Sequence, residues 1–163
     1  PQNVIFDTDD LSSITWTVTD AGSGVKASTI GATLDGAPAA SGQVLDMFFL
    51  NPGTHSIVVS AADNLGNAGS LTRLFRVQAT SQSLVNNVDR ACALGLINRI
   101  SCTELRLIAD LARTAHAAAN HIREQLLLGA WAQQLDQLRG KTVDHATAVR
   151  FAAYARDLIA RGA

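Results

Sequence analysis

Four histidines, two cysteines and fourteen carboxylates are the side chains able to bind a metal, relay protons or attack carbon. His116 and His121 stand five apart in a helical stretch, whereas two ligands on one helix face need a spacing of four. A solvated or capping role beside a helix break is therefore expected of them ahead of a metal site. His55 lies in a strand and His145 in the first turn of a helix, neither near a sequence-local carboxylate and nucleophile. Asp7-Thr8-Asp9-Asp10 crowds carboxylates together, and calcium favours several such oxygens. The run lacks the Gly and the distal Glu of an EF-hand loop, so Asp7, Asp9 and Asp10 are weak calcium candidates and no other cofactor is expected. Asp20, Asp63, Asn64 and Asn67 sit among turn residues, where such side chains bond their own backbone. No Gly-x-Ser-x-Gly elbow occurs. Gly22-Ser23-Gly24-Val25-Lys26 departs from a phosphate loop, because Lys does not follow Gly and Ser or Thr does not follow Lys.

Cys92 and Cys102 are the only cysteines and enclose nine residues between two expected helices. Antiparallel packing would bring them together, so a disulfide is expected, with two buried free thiols as the alternative. Neither a Cys-x-x-Cys nor a Cys/His cluster points to zinc. A bridge would accord with an oxidising, extracytoplasmic compartment. Sugar-binding platforms need exposed planar aromatics. Trp16 and Trp131 fall on inward stripes, which leaves Phe6 and Tyr154 as candidate surface aromatics. Arg99, Arg106, Arg113, Arg123, Arg150, Arg156 and Arg161 read as a solvated face ahead of an anionic-polymer contact.

These groups must be positioned by two halves of unlike composition. Residues 1–80 hold all three prolines, eight of the twelve glycines and no Glu, with three basic against seven acidic side chains. Residues 81–163 hold 17 alanines, no proline, and ten basic against seven acidic side chains. The first half has turn-rich strand composition and the second helix-forming composition, an order that favours separate domains. At 47% hydrophobic and 17% charged, the chain is no charged disordered segment. A net charge of -1 excludes a globally basic nucleic-acid binder, and no apolar run approaches the roughly 18 residues of a membrane span. The opening PQNVIFDTDD has no signal-peptide pattern, and an excised piece of a longer protein is expected.

Alternation predicts strands at Ile14/Trp16/Val18, Ile30/Ala32/Leu34, Leu45/Met47/Phe49 and His55/Ile57/Val59/Ala61, with Phe75 and Val77 inward from the last. Turns fall at Asp35-Gly36, Asn51-Pro52-Gly53 and Asp63 to Asn67. Short strands so spaced favour a β-sandwich. The motifs Asp20-Ala21-Gly22-Ser23-Gly24-Val25, Ala32-Thr33-Leu34-Asp35-Gly36, and Pro52-Gly53-Thr54-His55 through Ala62-Asp63-Asn64-Leu65-Gly66-Asn67 resemble a bacterial immunoglobulin-like domain over residues 7–79. Such domains recur in secreted hydrolases and surface proteins.

In the second half, Leu84/Val85/Val88/Ala91/Cys92 predict a helix ending at Leu94-Gly95. Ser101-Cys102-Thr103-Glu104 has capping-box spacing before Leu105/Ile108/Ala112/Ala115/Ala119. Leu127/Leu128/Trp131/Leu135/Leu138 form a third stripe, and Asp144 caps a fourth. A rod over 102–139 would be about 55 Å long, so a break is expected, with Asn120 as its left-handed residue. Leu84 through Gly95-Leu96-Ile97, Gln134-Leu135-Asp136-Gln137-Leu138-Arg139-Gly140-Lys141 and Ala152-Ala153-Tyr154-Ala155-Arg156-Asp157-Leu158-Ile159 resemble the FIMAH domain of secreted bacterial proteins. That family commonly has Gly-Asn where this chain has Ala119-Asn120, and the resemblance implies no catalytic residue.

The expected architecture is two domains, all-β then all-α: an immunoglobulin-like antiparallel β-sandwich at 1–79, a linker at 80–83, and a FIMAH-like bundle of three to four helices at 84–163. The expected role is that of a noncatalytic accessory C-terminal region of a secreted or cell-surface multidomain protein, partnered by an upstream domain of the same polypeptide. A polysaccharide or cell-envelope binding module is the alternative, and an enzyme with a site between the domains the remote one. Neither nucleic acid nor a membrane span is expected.

Overall fold

The computed structural model describes residues 4–162. Its strands are β1 (Val4–Asp7), β2 (Leu11–Ser13), β3 (Gly31–Leu34), β4 (Ala37–Ala39), β5 (Val44–Asp46), β6 (Gly53–Ala62) and β7 (Ala68–Gln78). Four helices follow: α1 (Ser81–Ala93), α2 (Arg99–Ala117), α3 (His121–Leu138) and α4 (His145–Ala160).

This is an αβ fold, which corrects the expected all-β domain followed by an all-α domain. One mixed sheet runs β1-β7-β6-β3-β4, and a second contains only β2 and β5. The chain as a whole is 45% helix and 27% strand, and its second sheet, of two three-residue strands, does not supply the other face of an immunoglobulin-like sandwich. The reason lies in strand length. β2 and β5 pair for three residues, Leu11 with Asp46 to Ser13 with Val44. On one side the chain turns back at Ala40–Gln43, where the Gln43 amide donates to the Ala40 carbonyl. On the other, Met47–Phe49 coils into a 3₁₀ turn. The alternation at Ile14, Trp16 and Val18 is therefore not strand: Ile14 still exchanges backbone bonds with Gly42 and Gln43, but no strand is formed over 14–18, and the Leu45/Met47/Phe49 stripe ends at Asp46.

Two compact units emerge. The first takes the chain up to Ile5, Leu11–Asp46 and Gly53–Arg76. In it, β3 pairs antiparallel with both β4 and β6, and the β3–β4 hairpin turns through Asp35 (φ 49°) and Gly36 (φ 83°). Two successive positive φ values match the twist of a two-residue hairpin. Ile14, Leu45 and Phe75 are its buried apolar side chains, whereas Leu11, Val44, Leu65, Leu71 and Leu74 are exposed.

The second unit collects Phe6–Asp10, Met47–Pro52 and the chain from Val77 onward. Its core joins Phe48 to Leu84, Val88, Leu105, Leu128, Trp131, Leu135, Phe151 and Leu158. Phe48 packs edge-on against Phe151, with the Arg90 guanidinium 4.8 Å above the Phe48 ring. The Tyr154 hydroxyl, fully buried, donates to the Phe48 carbonyl at 2.8 Å. Tyr154 is thus an internal tie, not the surface aromatic expected. On the same unit, buried Thr8 shares a 2.8 Å bond with Ser83 and accepts from the Asn87 amide at 2.9 Å. Residues 80–83, expected as a linker, carry the cap and first turn of α1, with Thr80 and Ser83 in a reciprocal capping box. Among the described residues, no helix is long and apolar enough to cross a membrane.

Candidate functional site

Two helix-to-helix corners gather the reactive side chains. At the first, α1 ends in a Schellman turn: the Gly95 amide donates to the Cys92 carbonyl and the Leu96 amide to the Ala91 carbonyl. Gly95 takes φ 72°, a conformation that costs glycine little. The side chain of Asn98, not Ser101, then caps α2 by accepting from the Ser101 amide. Cys92 and Cys102 are bonded, with Cα atoms 5.9 Å apart. The loop is held further where the Asn98 amide donates to Thr142 and the Asp144 amide to Leu96.

The second corner repeats this turn. The Ala119 amide donates to the His116 carbonyl and the Asn120 amide to the Ala115 carbonyl. Here the left-handed residue is Ala119, at φ 53°, and not Asn120 at φ -94°. Asn120 is needed one step later, where its side-chain oxygen caps α3 by accepting from the Arg123 amide. The alanine methyl is left in a strained conformation.

The break brings together side chains that an unbroken helix would separate. His116 is the penultimate residue of α2, and His121 opens α3. The His116 Nδ1 lies 3.0 Å from Glu124 Oε2, and the His121 Nδ1 lies 3.8 Å from the same oxygen. All three donor atoms fall within 4.8 Å of one another. The imidazoles are about half exposed, at 51% and 55%, whereas Glu124 is fully buried. Its second oxygen, Oε1, is buried without a hydrogen-bond partner. An ionised carboxylate so placed is costly unless a cation neutralises it. A spacing of five is wrong for one helix face, but that test does not apply to residues on two helices across a corner. Glu124, three after His121 at the head of an apolar run, is the missed member.

The remaining candidates are engaged elsewhere. In the Asp7–Asp10 turn, Asp10 Oδ2 accepts from the Asp7 amide at 2.7 Å, and Asp9 Oδ2 accepts from the Asn86 amide group at 2.6 Å. Asp7 accepts longer bonds from Gln78 and Thr80, both 3.4 Å. Asp20 accepts from the Gly22 and Gly24 amides. Asp63 binds the Asn67 side chain and the Asn67 and Leu65 amides, and these bonds hold its carboxyl at a pKa of about 2. His55 contacts Asp35 at 2.6 Å. His145 is the exposed first residue of α4. Arg106, Arg113, Arg139 and Arg161 face Asp89, Asp110, Asp136 and Asp157 in turn.

Trp131 is fully buried and its indole N–H donates to the Leu105 carbonyl at 2.9 Å. Trp16 departs from its expected core position. It is half-buried and lines a cavity of about 480 Å³ in the first unit, with Val18, Val59, Ala61 and Leu71, beside Asp20, Asp63 and Asn67.

Compared with known proteins, the chain matches no family model, no curated protein and no solved structure.

Proposed function

We propose that the chain is a noncatalytic accessory region of a secreted bacterial multidomain protein, acting as spacer, stabiliser or attachment module for an upstream hydrolase or adhesin domain. The observation that carries this reading is the construction of the helical unit from three separate stretches of chain, Phe6–Asp10, Met47–Pro52 and the chain from Val77. Its buried polar groups tie those stretches together: Tyr154 to Phe48, and Thr8 to Ser83 and Asn87. A disulfide closes its first corner, a bond that persists in oxidising compartments. The FIMAH-like motifs of residues 84–160 support the same role. Deleting this region from the longer protein is expected to change secretion, surface retention or activity on an insoluble substrate, with turnover of a small soluble substrate intact. Loss of that turnover in an otherwise folded protein counts against the reading.

The cavity at Trp16 favours a second reading, a polysaccharide or cell-envelope binding module. An indole flanked by carboxylate and amide groups offers an apolar face beside polar edges. Retention on insoluble glucan, chitin or peptidoglycan that disappears in Trp16→Ala would support it, and retention unchanged by that substitution would remove it.

A further inference from the structure

From the second corner we infer a binding site for a divalent transition metal, zinc above all, held by His116, His121 and Glu124. Three observations converge. First, the donor set is two imidazoles and one carboxylate, which suits zinc and its neighbours and disfavours calcium and magnesium, whose ligands are oxygens. Second, the geometry is close to ready. Tetrahedral zinc with ligands at about 2.0–2.2 Å keeps adjacent donor atoms roughly 3.4 Å apart. The two Nδ1-to-Oε2 separations, 3.0 and 3.8 Å, bracket that value. The carboxylate is fully buried with Oε1 unpartnered, and the exposed imidazoles can rotate onto an ion beside it. Their exposure leaves a face open for water as the remaining ligand.

Third, the first corner has a covalent link in the same place. Cys92 is the penultimate residue of α1 and Cys102 the fourth of α2; His116 is the penultimate residue of α2 and Glu124 the fourth of α3. Both pairs straddle the same Schellman turn and the Asn that caps the following helix, Asn98 in one case and Asn120 in the other. An ion on His116, His121 and Glu124 would staple α2 to α3 as the disulfide staples α1 to α2. This site is independent of the accessory role proposed above and stands or falls separately.

The test uses the whole chain without a histidine tag, stripped with chelator and kept non-reducing so that Cys92 and Cys102 stay bonded. It is titrated with Co²⁺ while visible absorption is followed, and with Zn²⁺ while the melting midpoint is read. The expected result is one saturable site with the intense visible bands of low-coordinate Co²⁺, bleached by Zn²⁺. The melting midpoint should rise with free zinc, because an ion bound only by the folded state stabilises it by mass action. Calcium and magnesium should produce no rise. His116→Ala and His121→Ala, both at exposed side chains, should each abolish the bands and the zinc shift; His145→Ala should keep both. Glu124→Gln, which preserves shape while removing the charge, should lose them too. Absence of both signals in the parent chain under excess metal overturns the proposal, as does their persistence when His116 and His121 are replaced together.

Discussion

The α1–α2 and α2–α3 corners use one backbone turn and arrive at different chemistry. Both reverse the chain through a left-handed residue, cap the next helix with Asn, and place a pair of side chains facing each other across the break. At Gly95 the turn is unstrained and the pair is a disulfide; at Ala119 it is strained and the pair is an imidazole beside a buried carboxylate. The comparison teaches that turn geometry and cross-link are separable. A corner is specified by its amide-to-carbonyl bonds and its cap, and the residues that straddle it are then free to be oxidised, charged or metal-binding.

The largest way to break the comparison is Trp131→Ala. It empties the packing between α3 and α2 and removes the indole bond to Leu105, an expected loss of about 3–5 kcal/mol that would loosen the second corner first. Urea unfolding measures the loss, and hydrogen exchange at Ala115 to Glu124 locates it. Next comes Cys92→Ser with Cys102→Ser, expected to cost about 2–3 kcal/mol because the closed loop is short. An unchanged unfolding midpoint would mean that the hydrogen bonds of the first corner suffice. A finer test exchanges the turn residues. Gly95→Ala is expected to destabilise by about 1 kcal/mol, and Ala119→Gly to stabilise by about 0.5–1 kcal/mol, since only the latter relieves a positive φ on a side-chain-bearing residue. Equal effects of one sign would show that the two turns are not equivalent.

The smallest effect sharpens the contrast between titrating and non-titrating caps. Asp144 caps α4, and the Thr147 amide and hydroxyl bonds to its carboxylate lower its pKa below the ordinary 3.8. A carboxyl depressed by folding contributes stability above its unfolded pKa and loses it as pH falls through the folded value. The melting advantage of the parent over Asp144→Asn should therefore be steady above about pH 4 and fade below it. Asn98 and Asn120, being uncharged, should give their own Ala variants a pH-independent deficit across the same range.

Local signals served the helical part well because they depend on nearby residues alone. Gly95 beyond an apolar stripe, Asp144 before another, and the arrest at Arg139-Gly140 each mark a helix end in the structure. Ser101 misled, because Asn98 three residues earlier offers its side chain to the Ser101 amide and starts the helix sooner. Asn120 misled for the opposite reason: two roles competed for it, and the cap took precedence over the left-handed turn. In the strand half, alternation at Ile14, Trp16 and Val18 was real, and Ile14 keeps backbone bonds beyond the three-residue pairing of β2 with β5, but the segment forms no strand.

What the chain specified unaided was therefore short-range: which stretches prefer helix, where they start and stop, and which turns need Gly, Asn or Asp. Caps and periodicity act within about four residues, so they are written where they operate. The destination of Phe48, the burial of Tyr154 and the meeting of Glu124 with two histidines were decided by tertiary structure. Each of these depends on which surfaces exclude water together, and no local pattern records the partner that a distant segment will provide.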